Sequence, residues 1–146
     1  MCYAVLSLAA GAVWGGIAVL FAPQWPTTRL MFQQAALVAP VIGLIIGVAF
    51  RWIHRVSPVG RVFASLLSLY IAAALFGLAV GVADALRNSP SAGGRNLTEV
   101  ILQSVPATLW GLTFTGLVLL LWPLAYLTHS LVGRAAGAAG LPPHRR

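Results

Sequence analysis

The sequence predicts an all-α integral membrane protein, a compact bundle of four transmembrane helices. Three observations carry this. Four apolar stretches, residues 2–21, 35–53, 62–86 and 98–122, fill most of the 146-residue chain. Each comes close to or exceeds the ~20 helical residues needed to cross a bilayer core of about 30 Å. None has a charged side chain near its middle, and charged residues make up only 8% of the chain, against roughly 25% in an ordinary soluble domain. One transmembrane domain, 1–146, accounts for the whole chain, with 123–132 an interfacial extension and 133–146 an irregular tail.

The first stretch lacks a basic n-region and is longer than a usual signal-peptide h-region, so it is expected to remain as a helix. Pro23 and Pro26 stop it and stiffen the connection that follows. The second stretch carries Pro40 near its outer end, where a proline costs little. Ser57-Pro58-Val59-Gly60 reads as a turn, after which the third helix runs to Asp84 and Arg87. These two are spaced to pair on one face. The connection 88–96 is rich in Ser, Asn and Gly. Asn96 and Glu99 have the spacing of a capping box, which starts the fourth helix at Leu97. Its apolar pattern continues to about Leu131, a length of roughly 50 Å. The fourth helix is therefore long, and Pro106 and Pro123 are its expected kinks.

Arginine placement sets the orientation. Arg51, Arg55 and Arg61 in one connection and Arg134, Arg145 and Arg146 in the tail share a side; Arg29, Arg87 and Arg95 lie opposite. The richer side is cytoplasmic, which places both the N and C termini in the cytoplasm. Tyr3, Trp52, Trp122 and Tyr126 fall near the inner interface and Trp25 near the outer one. Trp14 and Trp110 fall inside spans, where packing is their expected role. All nine basic residues are arginine; with abundant Ala, Gly and Pro this points to a GC-rich bacterial genome, hence to a multi-pass protein of the bacterial cytoplasmic (inner) membrane.

The net charge of +7 is dispersed among connections and tail, unlike the clustered footprint of a nucleic-acid binder. No nucleic-acid partner is expected. The single cysteine, Cys2, excludes an internal disulfide and a Cys-x-x-Cys redox pair.

The clearest motif is Gly-x-x-x-Gly: Gly11/Gly15, Gly43/Gly47 and Gly77/Gly81, with a weaker Ala107/Gly111. Glycines four apart share a helical face and let backbones approach closely, a main source of helix association in lipid. Ser7, Ser65, Ser68, Thr108, Thr113 and Thr115 fall within spans. Such hydroxyls usually bond their own backbone; lining a path is the sharper reading. Arg51, Arg55 and Arg61, with Trp52, form a basic collar suited to anionic lipid or an acidic partner. His54 and His129 fall near the same interface, and His144 in the tail. No Cys, Asp or Glu lies near them, so no metal site of three ligands is expected. Their expected role is contact with headgroups or a partner; ligation of a tetrapyrrole pigment or haem is the alternative.

In size the chain resembles compact four-span multidrug carriers. That family depends on a membrane-embedded Glu in the first helix, and helix 1 here has no acid. Asp84 and Glu99, at helix ends, both have structural roles available. With no catalytic constellation in view, the expected function is non-enzymatic. The chain reads as a structural or accessory subunit of a larger bacterial membrane complex, for example photosynthetic or respiratory, whose partners are the lipid bilayer and other membrane subunits. A small oligomeric channel or carrier is the alternative.

Overall fold

Pro40 decides how the second apolar stretch folds. It has no N–H to give the Ala36 carbonyl, and its ring crowds that oxygen. The helix accordingly ends at Ala36 and a new one starts at Ala39, with Pro40 in its first turn. Leu37 and Val38 bridge the two, their N–H groups bonding Gln34 O (3.2 Å) and Ala35 O (3.1 Å). In this computed structural model, which describes residues 2–20, 26–87 and 96–138, the helices are α1 (Cys2–Leu20), α2 (Pro26–Ala36), α3 (Ala39–Ala49), α4 (Pro58–Arg87), α5 (Leu97–Phe114) and α6 (Leu117–Ala138). A 3-10 helix, Arg51–Arg55, joins α3 to α4. No strand occurs among the described residues. Three segments are long and apolar enough to cross a membrane: Tyr3–Leu20, Pro58–Leu86 and Leu117–Gly137. Pro23, Trp25, Arg95, His144, Arg145 and Arg146, and the side chain of Arg87, lie outside the described residues.

Four features refine or correct the sequence reading. The expected span 35–53 is one short helix, α3, flanked by the end of α2 and a 3-10 turn. The α-helix continues through both Pro106 and Pro123, whereas the expected fourth helix breaks at Thr115–Gly116. There Gly116 adopts φ 73°, a left-handed backbone that ends a helix at little cost only in glycine. Ser57-Pro58 is a helix start and not a turn: Ser57 Oγ accepts from Gly60 N–H at 3.2 Å, and Pro58 takes the first helical position, where its missing N–H is not needed. Asn96 does precede α5, but its side chain makes no capping hydrogen bond. Ser57→Ala is expected to lower stability by about 1 kcal/mol through loss of the cap; an unchanged thermal midpoint in detergent would count against the assignment.

The core is two tightly packed antiparallel helix pairs. In the first, α1 lies on α3: Gly11 faces Gly43, and the Tyr3 hydroxyl donates to Gly47 O at 3.1 Å. In the second, α4 lies on α5: Gly77 faces Thr108, Gly81 faces Ser104, and the Tyr70 and Thr113 hydroxyls lie 3.1 Å apart. Ile46, Phe50, Ile53 and Ala64 bring α3 and the 3-10 turn against α4. Leu69, Leu112 and Ala125 gather α4, α5 and α6. α6 ties the pairs together. Trp122 Nε1 donates to Val62 O and Ser65 Oγ of α4, both at 3.1 Å, and Thr128 Oγ1 accepts from Trp14 Nε1 of α1 at 3.2 Å.

Candidate functional site

The six small residues named in the Gly-x-x-x-Gly pairs of α1, α3 and α4 all sit where a side chain would collide. A Cβ on Gly11 would stand 2.9 Å from the Gly43 Cα, and one on Gly43 2.6 Å from the Ser7 carbonyl oxygen. A Cβ on Gly15 would meet the Ala39 Cβ at 2.7 Å, and one on Gly47 the Ser7 Cβ at 2.6 Å. On Gly77 it would meet Thr108 Oγ1 at 2.7 Å, and on Gly81 the Ser104 hydroxyl. Gly111 differs: a Cβ there would meet nothing within 4 Å. It shares a helical face with Ser104 and Thr108, which do meet α4, but lies beyond the close part of that contact.

Gly111 instead borders a cavity of about 530 Å³ between the two helix pairs. Its wall is mostly apolar side chains from α1, α3, α4, α5 and α6. Ser7, Ser68, Thr128 and His129 are among the polar residues that break that wall. Ser7 Oγ is buried and has no hydrogen-bond partner, an arrangement that costs about 1–3 kcal/mol when left unsatisfied. Ser68 Oγ lies 2.8 Å from Ser65 O, to which it donates, and 2.8 Å from His129 Nε2.

His129 also lines a second, more polar cavity of about 330 Å³, together with His54, Arg61, Tyr126 and Arg134. The structure thus brings the two sequence-flagged histidines to one site. His54 stands on the 3-10 turn with its ring against Gly133 of α6, where a Cβ would collide with the ring. Its Nε2 is buried without a partner. Burial, and next the positive charge of Arg61, hold the His54 imidazole below its ordinary pKa. Arg61 donates from Nε to Val56 O (3.3 Å) and from a terminal nitrogen to His54 O (3.1 Å). It therefore braces the turn. Arg51, Arg55 and Trp52 do stay exposed on that turn, Trp52 stacking on Phe50 at 5.9 Å between ring centres.

The geometry sorts the chemistry. Among the described residues, no three of His, Cys, Asp and Glu gather as a metal site. His129 Nε2, one of the two nitrogens that could ligate haem iron or pigment magnesium, is already engaged by Ser68. Thr113 and Thr115 bond the carbonyls of Leu109 and Gly111, their own i−4 partners, and so are occupied within α5. Trp14 is fixed by Thr128, whereas Trp110 faces outward and stacks on Phe114. Gly133 was not singled out from the sequence, and Arg134 only as one of the arginines that set orientation. The available signal was spacing: Gly133 follows His129 by four and so shares its helical face. The chain matches no protein-family model, no curated protein and no solved structure.

Proposed function

We propose that this protein is a non-catalytic accessory subunit of a larger membrane complex, packing on and stabilising neighbouring subunits. The observation that carries the reading is the outer face of α5. Leu102, Trp110 and Phe114 are 67%, 65% and 74% exposed, and the two rings stack with centres 4.6 Å apart. Large aromatic side chains held in place lose little freedom on docking and dominate the energetics of protein interfaces. The close-packing glycines are already engaged inside the chain, so contact with another subunit falls to this aromatic ridge.

In this reading the chain crosses the bacterial cytoplasmic membrane four times. α1, α2 with α3, α4, and α5 with the start of α6 make the crossings, and both termini face the cytoplasm. The arginine asymmetry supports that orientation, and the antiparallel registers of α1 with α3 and of α4 with α5 fit alternating crossings. A photo-crosslinking residue at Trp110 or Phe114 is expected to capture one subunit of defined mass in intact membranes, while the same group at Leu20 captures lipid alone. Lipid adducts alone at all three positions would end the proposal. A second reading, a small oligomeric channel or carrier, draws on the 530 Å³ cavity; capture of a second copy of this chain at position 110 would select it.

A further inference from the structure

Among the described residues, no acidic side chain faces the positive charge around the smaller cavity. Arg61 and Arg134 both line it. The whole chain holds two acids, Asp84 and Glu99. Asp84 is 23 residues beyond Arg61 on α4, about 35 Å along the helix. Glu99 opens α5, beside the same distal end of α4. Neither reaches the site. A cationic pocket beside low-dielectric apolar walls attracts an external anion strongly. The His54 ring lines the same pocket, with its unpartnered Nε2 buried against Gly133. Tyr126 and Ser130 add hydroxyls to the lining.

The adjoining geometry says what carries the anion. The 530 Å³ cavity is walled largely by apolar side chains and lies on the neighbouring face of α6, with His129 in the wall of both spaces. One space suits an anionic head and the next an acyl chain. We propose that the protein holds one phosphate-bearing membrane lipid, its headgroup among Arg61, Arg134 and His54 and one chain in the cavity between the helix pairs. The inference goes beyond the accessory role and does not depend on it.

The test is native mass spectrometry of the full chain, delipidated in a non-ionic detergent and then offered phosphatidylglycerol, phosphatidylcholine or inorganic phosphate. One phosphatidylglycerol per chain is expected, retained in preference to phosphatidylcholine. Arg134→Gln, at an exposed position, is expected to weaken that retention about tenfold, the effect of losing one charge-assisted hydrogen bond. Gly111→Leu, whose Cβ would meet nothing within 4 Å, is expected to fold normally and to displace the acyl chain, also lowering retention. Equal retention of phosphatidylcholine, or no effect of Arg134→Gln, overturns the headgroup site. Retention unchanged in a folded Gly111→Leu overturns the assignment of the cavity to the acyl chain. Inorganic phosphate competing as well as the lipid overturns the lipid as occupant and leaves a free phosphate site.

Discussion

Gly43→Leu is expected to separate α1 from α3 and to remove a stable fold in detergent. The Gly43 Cβ position is 2.5 Å from the Gly11 Cα and 2.6 Å from the Ser7 carbonyl oxygen. Both neighbours are backbone, so no rotamer change relieves the contact and the helices must move apart. Overpacking a well-filled core costs about 1–3 kcal/mol when side chains can adjust; here the loss should lie at or above the top of that range. Parting the helices also breaks the Tyr3 hydrogen bond to Gly47 O. Size-exclusion profile and thermal midpoint in one detergent measure the outcome, with Gly111→Leu as the matched control. A variant at position 43 as monodisperse and heat-stable as the control would refute the close approach.

A smaller but more specific effect is expected at the other pair. A Cβ on Gly77 stands 2.7 Å from Thr108 Oγ1 and 3.1 Å from Ser104 O. The nearest neighbour is thus a side-chain atom that a second substitution can delete. Gly77→Ala should lower stability by about 1–2 kcal/mol, and Thr108→Ala in the same chain should restore part of it. Residues in contact couple by about 0.5–3 kcal/mol, so the double-mutant cycle must depart from additivity. Additive losses would mean that Gly77 and Thr108 do not touch.

The part of the fold legible in the sequence is the part that spacing determines. Glycines four apart predict a close helix face, and α1, α3 and α4 place theirs at contacts with backbone and small side chains. Segments at Tyr3–Leu20 and Pro58–Leu86 follow from uninterrupted apolar runs. Local chemistry at the ends was harder. Ser57-Pro58 fits a turn and a helix N-terminus equally well, because both want a side-chain acceptor followed by a fixed φ. Pro40 seemed harmless near an assumed helix start, yet it is what sets the start. Pro106 and Pro123 lie inside helices, and the interruption that spacing did not show is at Gly116, the residue that can take a positive φ.

The candidate site was legible only in pieces. His54 and His129 are 75 positions apart; topology puts both near one interface, where they could face one another, but nothing in either neighbourhood says that they share a cavity. That meeting depends on Gly133 leaving room for the His54 ring, and on Ser68 holding His129. Arg61 has a second role that charge pattern does not show. Charge pattern alone grouped it with Arg51 and Arg55, whereas its guanidinium is bonded to two carbonyls of its own turn.

The interruption at Leu37–Val38 bears on biogenesis. α3 has 11 residues, about 16 Å of helix, roughly half the depth of a hydrocarbon core. α2, which precedes it, carries Arg29, Gln33 and Gln34 on exposed positions. Neither half is a strong signal to an insertion machinery that weighs apolar length. Broken backbone at membrane depth is tolerated only under protein cover, and here α1 provides it: the Gly15 Cβ position lies 3.0 Å from the Ala36 carbonyl oxygen that Pro40 leaves without its helical donor. α1 leaves the ribosome first and can be resident when α2 and α3 arrive. The order of synthesis thereby becomes part of the folding information, and a circular permutant that delivers α2 and α3 ahead of α1 would enter the membrane without its template.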